Sequence, residues 1–168
     1  MCDFKFAPFA TEERRPAGQG DDERDLSTAV TEAFSHVILL EKYPKSIINA
    51  YITVLEAAGG VLGVAICCAS MALADAGIEC KDLVAAAGVA RVAGSLLLDP
   101  SREEEAQKEA DVTVAYMPCQ DLVSLVVQTG EFPGAECTDA IDMCISASAK
   151  LRGVMRRCLL EKFVEGQR

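Results

Sequence analysis

The sequence predicts an α+β layer fold, and three stretches carry that prediction. Residues 61–76 follow Gly59-Gly60 with small or apolar side chains and almost no charge before Asp75, the composition of a helix apolar on every side. Residues 46–55 are β-branched and apolar on both faces, the pattern of an internal strand covered on each side. Residues 111–117 and 122–128 read as two antiparallel strands joined at Pro118-Cys119-Gln120-Asp121, ahead of one long terminal helix. Strands, helix, strands and helix in this order give sheets covered by helices.

Taken in order, residues 2–9 alternate as a strand with Phe4 and Phe6 on one face and Pro8 ending the pairing. Residues 11–25 hold Pro16, Gly18, Gly20 and a dense mixture of charges, which predicts a solvated loop capped into a helix by Asp21 or Asp22. Leu26, Ala29, Val30, Ala33, Phe34, Val37 and Ile38 then fall on one helical stripe, and Tyr43-Pro44 is the expected stop. His36 lies off that stripe and reads as a surface residue, since catalytic imidazole chemistry needs an orienting partner. Gly77 closes the apolar helix. Residues 82–90 form a small-residue strand, and residues 96–110 a loop or short acidic segment. From Ala135 to Phe163 one helix is expected to turn Ile141, Ile145, Val154, Met155, Cys158 and Leu159 inward. Its acids lie early and its bases late, as the helix dipole prefers.

Composition bounds the function. The 168 residues fit one domain spanning 1–168, with 51% hydrophobic residues, 5% aromatics and no Trp, so the core is built from Ala, Val, Leu and Ile. A net charge of −10 argues against a free-standing nucleic-acid binder, because counterion release from the phosphate backbone requires a basic surface. Any RNA contact must be local or shared with partners. The eight cysteines include no C-x-x-C pair and several lie in apolar runs, which predicts reduced core thiols in an intracellular protein and no zinc site. Neither a secretory leader nor a membrane span is expected, since no apolar run reaches about 18 residues.

Four pieces carry a family resemblance: the Phe6-Ala7-Pro8-Phe9 strand end followed by Glu13-Arg14-Arg15; Tyr43-Pro44; the Gly59-Gly60 turn with Ala-Leu-Ala-Asp-Ala-Gly at 72–77; and the acidic segment 98–111. In this order they resemble the RNase PH family, the phosphorolytic exoribonuclease fold also used by ring subunits of the RNA exosome. The run Leu97-Leu98-Asp99-Pro100 with Arg102-Glu103-Glu104 is most similar to one eukaryotic ring subunit. The resemblance implies an RNase PH-like (ribosomal protein S5 domain 2-like) fold, N-terminally incomplete because relatives begin with further strands. It also implies assembly with other RNase PH-like ring subunits and with cap subunits, single-stranded RNA in a shared channel, no membrane, no cofactor, and residence in nucleus, nucleolus and cytoplasm.

The resemblance also locates the chemistry. Phosphorolysis needs an inorganic phosphate held against the RNA phosphodiester, and in active relatives the double glycine is followed by Thr-Arg. Here Val61-Leu62 follow. Loss of one guanidinium–phosphate contact removes about 2–3 kcal/mol, and apolar replacements add the cost of desolvating the anion. The site at Gly59, Gly60, Val61 and Leu62 is therefore expected to be degenerate. Two carboxylates six positions apart serve active relatives, and Glu105 and Asp111 match them; they are either a vestigial pair or a solvated turn and a strand start. Arg14 and Arg15 match basic residues facing the RNA channel, or else pair with Glu12, Glu13, Asp21 and Asp22 in the loop. Arg152, Arg156, Arg157 and Lys162 form a second cluster, read as helix-end solvation and partner contact. The expected function is a non-catalytic scaffold subunit of the exosome ring. The alternatives are a weak phosphate-dependent 3′→5′ exoribonuclease using Glu105 and Asp111, and a truncated product without independent function.

Overall fold

The structure is a computed structural model that describes residues 1–11, 14 and 20–165. Its elements are β1 (Cys2–Phe6), α1 (Asp21–Ser35), β2 (Ala50–Val54), α2 (Val61–Asp75), β3 (Ala85–Val92), β4 (Ser95–Leu98), α3 (Arg102–Glu105), β5 (Ala110–Met117), β6 (Leu122–Gly130) and α4 (Gly134–Glu165). β1 and β2 pair in parallel, Phe4 opposite Ile52, and α1 makes the crossover that parallel pairing demands. The other four strands form an antiparallel sheet in the order β4-β3-β5-β6.

These parts stack in layers, as the α+β prediction requires. α1 and α2 lie between the two sheets and bury Val30, Ala33, Phe34, Ile66, Ala69 and Leu73 with Phe4 on one side and Ala86, Ala115 and Met117 on the other. α4 covers the outer face of the larger sheet, where Ala140 and Cys144 meet Val89, Val112 and Val114. The alternation along β5 explains this division, because Val112 and Val114 point to α4 while Ala115 faces the α1/α2 layer.

The structure corrects several expectations. The N-cap of α1 is Gly20, not Asp21 or Asp22, and Glu23 serves the cap by accepting the Gly20 N–H at 2.9 Å. α1 stops at Ser35, well before Tyr43-Pro44, because the backbone at 37–39 is drawn onto residues 79–81: Leu39 N–H donates to Glu79 O at 3.1 Å and Lys81 N–H to Val37 O at 2.9 Å. β2 is not covered on both faces. Its Tyr51 is 75% exposed and neighbouring Ile47 and Leu55 are also open; among the described residues β1 is the one strand paired with it. α2 likewise leaves Val64 and Cys68 exposed. The stretch at 96–110, read as a loop or short acidic segment, begins with the last three residues of β4, which returns from β3 through a two-residue turn at Ala93-Gly94, both with positive φ, and its acidic part is α3. On α4, Val154 and Cys158 are exposed, and the inward line is Ala140, Cys144, Ser148 and Met155.

His36 is exposed, as expected. Of the eight free cysteines, Cys144 is buried and Cys2, Cys67 and Cys80 pack half-buried against the core between the sheets, whereas Cys68, Cys119 and Cys158 are exposed and depart from the core-thiol expectation. Burial pushes the Cys144 thiol up from 9.0 to about 11. Because the folded value is the higher one, the unfolded chain ionises first, and this group's stabilising contribution falls as pH rises from about 9 to 11. Native alkylation with iodoacetamide at pH 8 should therefore modify the three exposed thiols and spare Cys144 until denaturant is added. Peptide mass mapping reads this directly, and native labelling of Cys144 as fast as Cys68 would contradict its burial.

Candidate functional site

The glycine turn before α2 is closed over by the segment that follows β4. Gly59 has φ +126° and a Cβ there would lie 2.3 Å from the Pro100 carbonyl oxygen, while Gly60 has φ +55° and faces the Asp99 carboxylate. Only residues without side chains let the two segments approach this closely. Asp99 is itself anchored, its N–H donating to Gly88 O at 2.9 Å. α3 then opens with Ser101 at its N-cap, and the Ser101 N–H donates to Glu104 at 2.8 Å. That backbone hydrogen bond holds the Glu104 carboxyl below its usual range.

The consequence appears at Glu105. Its Oε1 accepts the Gly60 N–H at 3.1 Å, so a carboxylate of this chain stands at the N-terminus of α2, where the helix dipole favours negative charge. Val61 and Leu62 are half-buried and pack against the core between the sheets. The first turn of α2 thus carries two apolar side chains and one carboxylate of the chain itself.

Asp111 lies on β5, on the same face as Ala115, and pairs with Lys108 Nζ at 3.0 Å. Glu105 and Asp111 are therefore each engaged by a different partner: a backbone N–H for one and an ammonium for the other. Among the described residues no three His, Cys, Asp or Glu side chains group as a metal ion would need. Arg14 is exposed and lines a hollow with Pro8, Phe9 and Thr11, whereas Arg15, with Glu12 and Glu13, lies outside the described residues. In the second basic cluster Lys162 pairs with Asp75 at 2.7 Å and Arg152 with Asp82 at 3.5 Å, while Arg156 and Arg157 are exposed.

The sequence alone gives Phe9, Thr11 and Arg102 no site role. A second hollow joins Phe9 and Thr11 to Leu55, Ala58 and Arg102, so it connects the end of β1 to the chain entering the glycine turn. The signal was the run Ala-Pro-Phe-Ala at 7–10, which places Pro at the second position of a tight turn and not inside a strand.

Fold and site together define an RNase PH-type α+β domain. The arrangement is that of the crystal structure of rice (Oryza sativa) Rrp46, with a TM-score of 0.81 over 86% of this chain and 69% of that one, at 22% identity. The chain belongs to the 3′ exoribonuclease (RNase PH) family: residues 1–79 match its domain 1 and residues 82–147 its domain 2. Exosome complex component Rrp41 of Cenarchaeum symbiosum is 33% identical over 165 residues, 98% of this chain and 68% of that protein. Exosome complex component RRP41-like of Arabidopsis thaliana is 36% identical over 158 residues, covering 94% of this chain and 60% of that protein. Exosome complex component MTR3 of Mus musculus is 37% identical over 165 residues, covering 95% and 60%. The chain thus spans 60–68% of the length of these relatives.

Proposed function

We propose that the chain is a non-catalytic subunit of an RNA exosome ring, forming part of the wall past which single-stranded RNA is threaded for 3′→5′ processing or degradation. Its partners are other RNase PH-like ring subunits and cap subunits, in nucleus, nucleolus and cytoplasm. The names of the relatives support the assembly. One observation carries the loss of catalysis: Glu105 Oε1 takes the Gly60 N–H at 3.1 Å beside Val61 and Leu62.

The physical argument is electrostatic. A phosphate entering this turn meets no cation on Val61 or Leu62 and must approach a carboxylate that already holds the backbone donor. Like charges a few ångströms apart repel by a few kcal/mol at a protein surface. Orthophosphate binding, which phosphorolysis requires, is disfavoured by charge as well as by the missing clamp.

Incubation of the purified chain with a single-stranded RNA and 10 mM phosphate, roughly the level that would saturate a weak site, should release no nucleoside diphosphates. Thin-layer chromatography of end-labelled RNA is the readout. Phosphate-dependent release of diphosphates that is lost in Glu105→Ala would overturn this reading and restore the weak exoribonuclease.

A further inference from the structure

The four-stranded sheet has an edge that β4 does not cover. β3 runs from Ala85 to Val92, but β4 pairs only with residues 89–92, and its line ends where Asp99 turns away at φ +53°. Over residues 85–88, β3 has β5 on one side and no described strand on the other. Alternation turns the N–H and C=O of Ala86 and Gly88 to that open side, as the bond from the Asp99 N–H to Gly88 O shows. At Ala86 the Cys67 thiol stands in for the absent strand, accepting the Ala86 N–H at 3.2 Å and donating to Ala86 O at 3.5 Å. Among the described residues the Gly88 N–H has no hydrogen-bond partner.

A cavity of about 770 Å³ occupies the place of the missing strand. Gly63 and Val64 of α2 line it on one side, Ala147 and Leu151 of α4 on the other, and Ala86 and Gly88 lie between them. α2 and α4 cover opposite faces of the sheet, so a single cavity touches both only where the sheet has stopped. Its mouth is apolar and open, with Val64 at 64% exposure, Leu98 at 45% and Leu151 at 41%. Two exposed carboxylates, Asp99 and Asp142, stand on the rim against one ammonium, Lys150, so the cavity shares the acid excess of a chain of net charge −10.

We propose that this cavity takes an extended segment of a partner protein, which adds a strand to β3 beyond the end of β4. The segment's backbone bonds to Ala86 and Gly88 and displaces the Cys67 thiol, a weak partner that a peptide group replaces with a stronger one. Its side chains alternate between α2 and α4, so they are small or apolar, and a Lys or Arg meets Asp99 and Asp142. A helix would leave the Gly88 N–H unmet, because its own backbone groups are already bonded to one another. A second copy of this chain, itself at −10, lacks the complementary charge. The inference needs only the fold and does not depend on the ring-wall reading.

The test selects phage-displayed random octapeptides on the purified full chain, then measures the best synthetic peptide by calorimetry and by amide NMR of the isotope-labelled chain. Selected peptides should alternate small or apolar residues and carry Lys or Arg, and their binding should slow hydrogen exchange at the Ala86 and Gly88 amides. Ser146→Phe projects a ring from an exposed position of α4 that lines the cavity, and should weaken binding about tenfold with thermal unfolding unchanged. Cys67→Ala removes the thiol that occupies Ala86 and should strengthen binding about fivefold, an effect that a merely structural cysteine would not give. Asp99→Asn with Asp142→Asn should weaken it about threefold and flatten its salt dependence. Failure to enrich any peptide, enrichment of acidic peptides, or equal binding by Ser146→Phe would overturn the proposal. Self-association of the chain that Ser146→Phe abolishes would assign the cavity to a second copy and overturn it in that way.

Discussion

Gly59→Ala should cost about 3 kcal/mol or more, enough to remove a large fraction of the stability of a domain this size. Two causes add. The backbone at φ +126° is one that side-chain-bearing residues rarely adopt, and the new Cβ would stand 2.3 Å from the Pro100 carbonyl oxygen, a backbone atom that cannot rotate away. Relief requires moving the segment at 99–105, which also carries Glu105 off the Gly60 N–H. Two neighbours calibrate the effect. Gly60→Ala meets only the flexible Asp99 carboxylate at 2.9 Å and should cost about 1 kcal/mol. Gly20→Ala meets nothing within 4 Å and should cost only the N-cap preference for glycine over alanine, about 0.5 kcal/mol. Urea midpoints of the three variants, at constant m, measure the ranking. Equal midpoints for Gly59→Ala and Gly20→Ala would show that the two segments do not meet as described.

Glu23→Ala should lower stability by about 3–5 kcal/mol. Glu23 is 5% exposed, and its two oxygens accept the Phe6 N–H at 2.8 Å and the Gly20 N–H at 2.9 Å. One carboxylate thereby ties the end of β1 to the start of α1, and alanine leaves two donors without their acceptor at a site too enclosed for full hydration. Charge assistance makes each bond stronger than a neutral one. Glu23→Gln keeps one good acceptor and should lose about half as much. Thermal unfolding followed by circular dichroism reads both variants, and equal losses for Gln and Ala would remove the two-acceptor account.

The contrast between these residues shows which parts of the molecule were legible in advance. The apolar run of α2, its glycine turn and the paired strands β5 and β6 are written in neighbouring residues, because period and turn chemistry act over a few positions. The stop of α1 at Ser35 was not legible, since it depends on residues 79–81 capturing the backbone at 37–39. β4 was hidden because Leu96, Leu97 and Leu98 lead straight into an acidic segment, and the hairpin signal rested on Ala93 taking a positive φ. The open face of β2 was missed for a different reason: an apolar strand declares that something covers it, and does not say whether that cover lies in the same chain.

At the candidate site the division is sharper. Residue identity and spacing are enough to say that Val61 and Leu62 follow the double glycine and that Glu105 and Asp111 retain carboxylates. Where those carboxylates go depends on the packed fold. It sets Glu105 on the Gly60 N–H, pairs Asp111 with Lys108, and holds Phe9 outward on a buried frame. The physical reason is chain separation: Gly60 and Glu105 lie 45 positions apart. No local propensity couples such residues; the packing of β3, β4 and α3 around the glycine turn does.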